Sequence, residues 1–228
     1  METSNLDFTP KGLYIGGDWQ ESATGKAFET INHSTGDNLG DVPMANEADV
    51  DCAVAATKTA FNDWSRTPIQ EWADLLEKLG ARMRELRDEI SLMDNLNVGN
   101  TLSGMKDDVD WSADSYRYFA GLIKQVKGET FSERPGHLNL TRRHPYGVVA
   151  KINPFNHPFR FCAEKSAAAL AAGNTVVLKG SDQAPLSSLR FGELCQEILP
   201  PGVVNVLTGD AVTGRTMVRH PDVRRIGV

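Results

Sequence analysis

Val148-Val149-Ala150-Lys151-Ile152-Asn153-Pro154-Phe155-Asn156-His157-Pro158 sets the fold class. Its first five residues are a short, β-branched run of the kind buried in a parallel sheet. An alanine-rich stretch from about Pro158 to Ala172 reads as helix, Gly173-Asn174 stops it, and Thr175-Val176-Val177-Leu178 reads as the next strand. The alternation then repeats. A helix is predicted from about Pro185 to Ile198, a strand over Val203-Val204-Asn205-Val206-Leu207, a short helix near Thr213 to His220, and a last strand over Arg225-Ile226-Gly227-Val228. Four strands alternating with helical segments predict an α/β fold, a doubly wound parallel sheet with right-handed crossovers. In such sheets ligands collect at the carboxyl ends of the strands.

Upstream the patterning is different. His137 to Arg143 alternates polar and apolar over a strand length, and Pro145 and Gly147 separate it from the Val148 strand, so an antiparallel strand is expected. Three helices are expected before it. The first starts at Asn46, an N-cap residue with Asp49 three positions on, and carries Val50, Ala53, Val54, Ala60, Phe61 and Trp64. The second opens at Thr67-Pro68 and runs to about Leu96, and the third carries Val109 to Ile123. The charged residues between the apolar stripes read as solvated faces. From Leu13 to Ala45, short apolar runs broken by Gly16-Gly17, Thr24-Gly25 and Thr35-Gly36 form an opening β segment.

The 228 residues can bury a sizeable core, and 40% apolar with 24% charged residues is ordinary for a soluble globular protein. A net charge of -6 with no dense Lys/Arg block gives no footprint for nucleic acid or an anionic membrane. Met1 to Asn5 shows no basic region leading into an apolar run, so a cytoplasmic location is expected. Three cysteines, Cys52, Cys162 and Cys195, have neither paired nor metal-ligand spacing. A reducing compartment fits, no metal site is expected, and each thiol reads as a small buried apolar residue.

Chemistry concentrates at the strand ends. After the first strand, two prolines hold the backbone around Asn156 and His157. A fixed amide N–H beside a reacting carbonyl stabilises a developing oxyanion. The simpler reading of Asn156 is a helix N-cap ahead of Pro158, and His157 has no evident companion as a base. The second strand ends in Lys179-Gly180-Ser181-Asp182, a cation and a carboxylate three residues apart, suited to ribose hydroxyls. Ser181 or Asp182 capping the next helix is the alternative. The third strand ends in Thr208-Gly209-Asp210-Ala211-Val212-Thr213-Gly214, whose glycines permit close backbone approach to a phosphate. The compact Gly-x-Gly-x-x-Gly fingerprint and a Tyr-x-x-x-Lys pair are both missing, which disfavours an unrelated Rossmann reductase.

Taken in order, these segments resemble the aldehyde dehydrogenase superfamily. The carriers are Pro145-Tyr146-Gly147-Val148-Val149, the Asn153 to Pro158 turn, Ala169 to Lys179, Pro200 to Val206, and the opening Tyr14-Ile15-Gly16-Gly17-Asp18-Trp19. The resemblance implies oxidation of an aldehyde to a carboxylic acid with NAD or NADP. Asn156 would donate its amide to the oxyanion, Lys179 and Asp182 would contact the adenosine ribose, and Ile152, Asn153, Pro154 and Phe155 would line the coenzyme cleft. Gly180 and Ser181 would form the ribose-side turn, with Gly209 and Gly214 beside adenine and pyrophosphate. Lys165 matches a buried family lysine and is assigned support.

The resemblance also implies that this is a truncated, amino-terminal half, because the family's cysteine nucleophile and glutamate motif do not appear and Val228 falls just before its Gly-rich nicotinamide turn. Residues 1–136 would be strands and helices packing on the coenzyme domain, 137–146 an oligomerisation-type strand, and 147–228 a partial NAD(P)-binding Rossmann-like domain. The partners implied are a small aldehyde and, in the full-length form, further copies of the chain. A non-catalytic nucleotide-binding or oligomerisation module is the alternative. Three positions depart from the family pattern. Phe155-Asn156-His157 stands for Trp-Asn-Phe, Gly180 replaces a proline and is expected to loosen its turn, and Asp182 stands for glutamate, leaving room beside the ribose 2′-oxygen.

Overall fold

The computed structural model describes residues 9–228, so the Met1 to Asn5 reading lies outside the described residues. Leu13–Ile15 (β1) and Asp18–Gln20 (β2) form a hairpin turned at Gly16 and Gly17, both at positive φ. Ala27–Ile31 (β3) and Asn38–Pro43 (β4) make a separate antiparallel ribbon. Helix Glu47–Trp64 (α1) begins where its cap was expected. Asn46 accepts from the Asp49 amide at 3.1 Å, and Asp49 accepts from the Asn46 amide at 2.9 Å, a reciprocal capping box. Cys52 departs from the buried reading: it is exposed on this helix, whereas Cys162 and Cys195 are buried.

The long second helix is two helices. Ile69–Glu85 (α2) and Arg87–Val98 (α3) are separated at Leu86, whose φ of -98° and ψ of 14° leave the helical basin. Apolar periodicity runs through this break, which is why the sequence reads as continuous. Gly99 closes α3 in a left-handed conformation, φ 83°. The third expected helix, Leu102–Leu122 (α4), starts earlier than its apolar stripe because Thr101 caps it by accepting from the Gly104 amide. Thr130–Phe131 (β5) and Asn139–Leu140 (β6) pair antiparallel. The strand expected over 137–143 is thus reduced to two residues, because its one partner is equally short and Leu138 and Leu140 are exposed.

From there the alternation is as read: Val148–Ile152 (β7), Pro158–Ala171 (α5), Thr175–Lys179 (β8), Leu186–Ile198 (α6), Val204–Leu207 (β9), Ala211–Arg219 (α7) and Val223–Gly227 (β10). The sheet order is β10-β7-β8-β9-β1-β2, parallel from β10 to β9, with β1 antiparallel to β9 through Tyr14 opposite Val206. The opening hairpin therefore completes this sheet instead of forming its own. Strands β8, β9 and β1 are buried on both faces, and alternate residues enter two different cores. Tyr14, Val149, Val176, Leu178, Val204 and Val206 pack with α2 to α6, while Leu13, Ile15, Val148, Ala150, Val177 and Leu207 pack with α1 and Met217 of α7. Each such fully buried aliphatic side chain contributes about 1.5–3 kcal/mol. No helix among the described residues is long and apolar enough to cross a membrane.

Candidate functional site

Parallel pairing sets Ile152 opposite Lys179 and Lys179 opposite Leu207, so three strand ends finish side by side. The Asn153 amide donates to the Lys179 carbonyl at 3.0 Å, and the Gly180 amide to the Leu207 carbonyl at 3.3 Å. Beyond these ends, Gly214 of α7 packs against the strand ends. A β-carbon there would lie 3.7 Å from Lys179 Cδ and 3.8 Å from Ile152 Cδ1. Ile152, Lys179 and Gly214, far apart in sequence, therefore meet at the carboxyl ends of these strands.

Lys179 is 6% exposed, and its Nζ donates to the Gly180 carbonyl at 3.1 Å. Burial lowers its pKa, and the carboxylates of Asp182 and Asp210 pull it back up. Asp182 is exposed and makes no ion pair with Lys179 among the described residues, so the pair does not close on itself. Ser181 Oγ accepts from the Gln183 amide at 3.2 Å, while α6 starts at Pro185 with no side-chain cap. The cap alternative for Ser181 or Asp182 is not what the structure contains. Gly180 does not loosen its turn either. A β-carbon at this buried position would overlap Ser188, whose hydroxyl bonds the Pro185 carbonyl at 2.6 Å, so the turn is tightly packed.

Gly209 takes φ 147° and leads into α7, where Asp210 accepts from the Val212 amide at 2.7 Å and the Thr213 amide at 3.4 Å. Two of the amides that the sequence offered to a phosphate are thus already capped by a carboxylate. On the other side, Pro154, Phe155 and Asn156 are exposed and Asn153 is buried. Asn153 Nδ2 donates to Cys162 Sγ at 3.4 Å, and its buried Oδ1 has no partner among the described residues. Burial pushes the Cys162 thiol well up, which opposes a thiolate there. Lys165 is partly exposed, not buried, with its ammonium 4.3 Å from the Phe161 ring centre.

Asn156 does not cap α5. The cap residue is His157, without a side-chain cap bond. His157 does have the companion that the sequence failed to show. Its Nδ1 lies 2.6 Å from Asp108 Oδ2, and Arg160 Nη1 lies 3.5 Å from the other carboxylate oxygen. Asp94, fully buried, accepts from the Phe159 amide at 3.2 Å and from the Ser187 hydroxyl. Burial raises its pKa to about 7, with Asp108 adding to the rise while Ser187, Phe159 and His157 oppose it. Reading charged residues as solvated faces missed both aspartates. The available signal was position: Asp108 sits on the same stripe as Met105, Val109, Ser112 and Tyr116, where an ionisable group must be partnered.

A family model described as the aldehyde dehydrogenase family matches residues 19–228. Aldehyde dehydrogenase tropH of Talaromyces stipitatus is 40% identical over 222 residues, 95% of this chain and 42% of that protein. Human cytosolic 10-formyltetrahydrofolate dehydrogenase is 38% identical over 96% of this chain and 25% of its own length. Among solved structures, the NAD+ complex of an aldehyde dehydrogenase from Bacillus cereus superposes with a TM-score of 0.91 at 36% identity, over 94% of this chain and 45% of that one. The chain thus spans less than half the length of these relatives.

Proposed function

Because the chain belongs to the aldehyde dehydrogenase family, we propose that it supplies the NAD(P)-binding part and the oxyanion donor of an enzyme that oxidises an aldehyde to a carboxylic acid. The observation that carries this reading is the meeting of Ile152, Lys179 and Gly214 at the ends of β7 and β8, beside the Asn153 to Asn156 turn. Its residues fit a dinucleotide. The Lys179 ammonium has three donors and gives one to a backbone carbonyl, Asp182 offers an exposed acceptor, and Gly214 puts no side chain beside Lys179.

In this reading Lys179 and Asp182 hold the adenosine ribose across the Gly180-Ser181 turn, and Ile152, Asn153, Pro154 and Phe155 wall the cleft. Gly214 acts by putting no side chain beside Lys179 and Ile152, and Gly209 by letting the turn approach Thr213, since Asp210 holds the nearby amides. The coenzyme, when bound, supplies the hydride acceptor. Asn156 donates its side-chain N–H to the substrate oxygen as charge builds on it, an interaction worth ~3 to 4 kcal/mol in favourable enzymes. The activated thiolate and the general base come from outside these residues, consistent with the buried Cys162 and Cys195. Residues 9–136 pack on the coenzyme unit of 147–228, and 137–146 serve assembly into a homo-oligomer. Three free cysteines support a reducing, cytoplasmic setting.

Calorimetric titration with NAD and NADP tests the assignment. Wild type should bind, Lys179→Ala and Asp182→Ala should each bind at least about tenfold more weakly, and NADP should lie within about tenfold of NAD, ~1.4 kcal/mol. Unchanged affinity in both variants overturns the ribose assignment. Aldehyde turnover by the homogeneous chain, lost on Cys162→Ala, would overturn the external nucleophile. Self-association without coenzyme binding would favour a non-catalytic module, a reading to which the exposed apolar residues Phe131, Leu138 and Leu140 lend support.

A further inference from the structure

The turn that carries Asn156 is tied at three points to side chains of α3, α4 and the link between them. Asn100, in that link, donates Nδ2–H to the Asn156 carbonyl at 2.7 Å, and its own carbonyl accepts from Asn95 Nδ2 at 2.6 Å. A carbonyl only accepts, so the Asn100 amide must present its nitrogen to the turn. One residue on, the Asp108 carboxylate holds His157 Nδ1 at 2.6 Å. Two further on, Asp94 accepts the Phe159 amide at 3.2 Å, capping α5 from a different helix because α5 has no side-chain cap of its own. Asp94 and Asp108 are 1% and 5% exposed. Buried carboxylates are costly unless well partnered, yet the fold places both against this one turn.

We infer that Asp94, Asn100 and Asp108 are positioning residues that fix the direction of the Asn156 side-chain amide, and that Asp108 also fixes the tautomer of His157. This rests on the reading of Asn156 as oxyanion donor. The Asn156 side chain is exposed, so neighbours cannot aim it by packing and the backbone of the turn must. A donor of this kind works only when held within about 0.5 Å and 10–20° of its target, and a misplacement of about 1 Å can cost ~100-fold in rate. The Asp108 carboxylate can only accept, so neutral His157 carries its proton on Nδ1 and leaves Nε2 as an acceptor next to Asn156. Arg160 lies 3.5 Å from the other Asp108 oxygen, a countercharge on the same carboxylate.

Nitrogen-15 NMR on the chain tests this without any need for turnover. In wild type, the His157 ring should show the Nδ1–H tautomer, and Asp108→Ala should abolish it. Asn100→Asp, isosteric but unable to donate, should drop the Asn156 backbone order parameter from about 0.85 to below about 0.6, while NAD affinity stays within about twofold of wild type. Asp94→Asn should speed exchange of the Phe159 amide at least about tenfold. A wild-type ring protonated on Nε2, a ring unchanged in Asp108→Ala, or an Asn156 equally rigid in Asn100→Asp each overturns the inference. Asn100 is partly exposed, so its variant decides even if Asp94→Asn fails to fold. Failure of wild type to bind NAD would count against the coenzyme reading alone, since the ring and backbone signals do not depend on it.

Discussion

At Gly180 a β-carbon would come within 2.7 Å of Ser188 Cβ and overlap its hydroxyl, although the residue is not at positive φ. Space, not backbone freedom, requires the glycine. Gly180→Ala is therefore expected to destabilise the chain by about 1–3 kcal/mol in urea unfolding, and adding Ser188→Gly should restore part of the loss. No change in Gly180→Ala would mean that the turn relaxes and is as loose as the sequence suggested. Lys179 and Asp182 illustrate the same point at the same turn. Their spacing marks them as a pair, but one is buried and the other exposed, so the two side chains do not reach solvent together.

Helix α1 carries its start signal within itself. Replacing the cap, Asn46→Ala, should cost about 1 kcal/mol. Asp49→Ala should cost more, because Asp49 also accepts from Ser22 Oγ at 2.9 Å and the Ala23 amide at 2.9 Å, tying the helix to the loop after β2. Equal losses in the two variants, read from denaturation midpoints, would show that the loop ties are worthless. Helix α5 is the opposite case, since its cap comes from Asp94 on α3. Burial lifts the Asp94 pKa from 3.8 to about 7. The folded state therefore retains a proton there that the unfolded state has lost, and stability is highest below about pH 4 for this group and falls as pH rises toward 7. His157 opposes the rise and Asp108 adds to it. Across that window the wild type should lose stability by an amount that Asp94→Asn largely abolishes; parallel pH profiles for the two proteins would show that Asp94 is ionised throughout.

For the whole molecule, one sheet joins residues from both ends of the chain. Strand β1 covers β9, which leaves β2 and β10 at the edges. Strand β10 pairs only with β7 among the described residues, and the β5–β6 ribbon exposes Phe131 at 49%, Leu138 at 68% and Leu140 at 60%. Leu138 and Leu140 alternate onto one face of the ribbon, with Phe131, opposite Asn139, on the other, and the leucine face is a candidate contact between copies. The chain should associate at micromolar concentration, and Leu138→Lys with Leu140→Lys should lower its mass in light scattering. A wild type that stays monomeric at every concentration, or a double variant of unchanged mass, removes the ribbon as the contact.

Read alone, the amino-acid sequence specifies most of the elements and their order. The strands from Val148 onward and the Asn46 to Asp49 helix start are encoded within a few consecutive residues, so periodicity and cap chemistry suffice to find them. It also marks Asn156, Lys179 and Gly214 as chemistry at strand ends. Contacts between distant residues belong to the tertiary structure instead: β1 closing on β9, Gly214 facing Lys179, and the supports of the Asn156 turn. Asn100 lies 56 residues from Asn156 and Asp108 lies 49 from His157. No local pattern encodes such pairings. An aspartate on a helix reads as solvated until packing places that face inside, and packing is a property of the assembled layers.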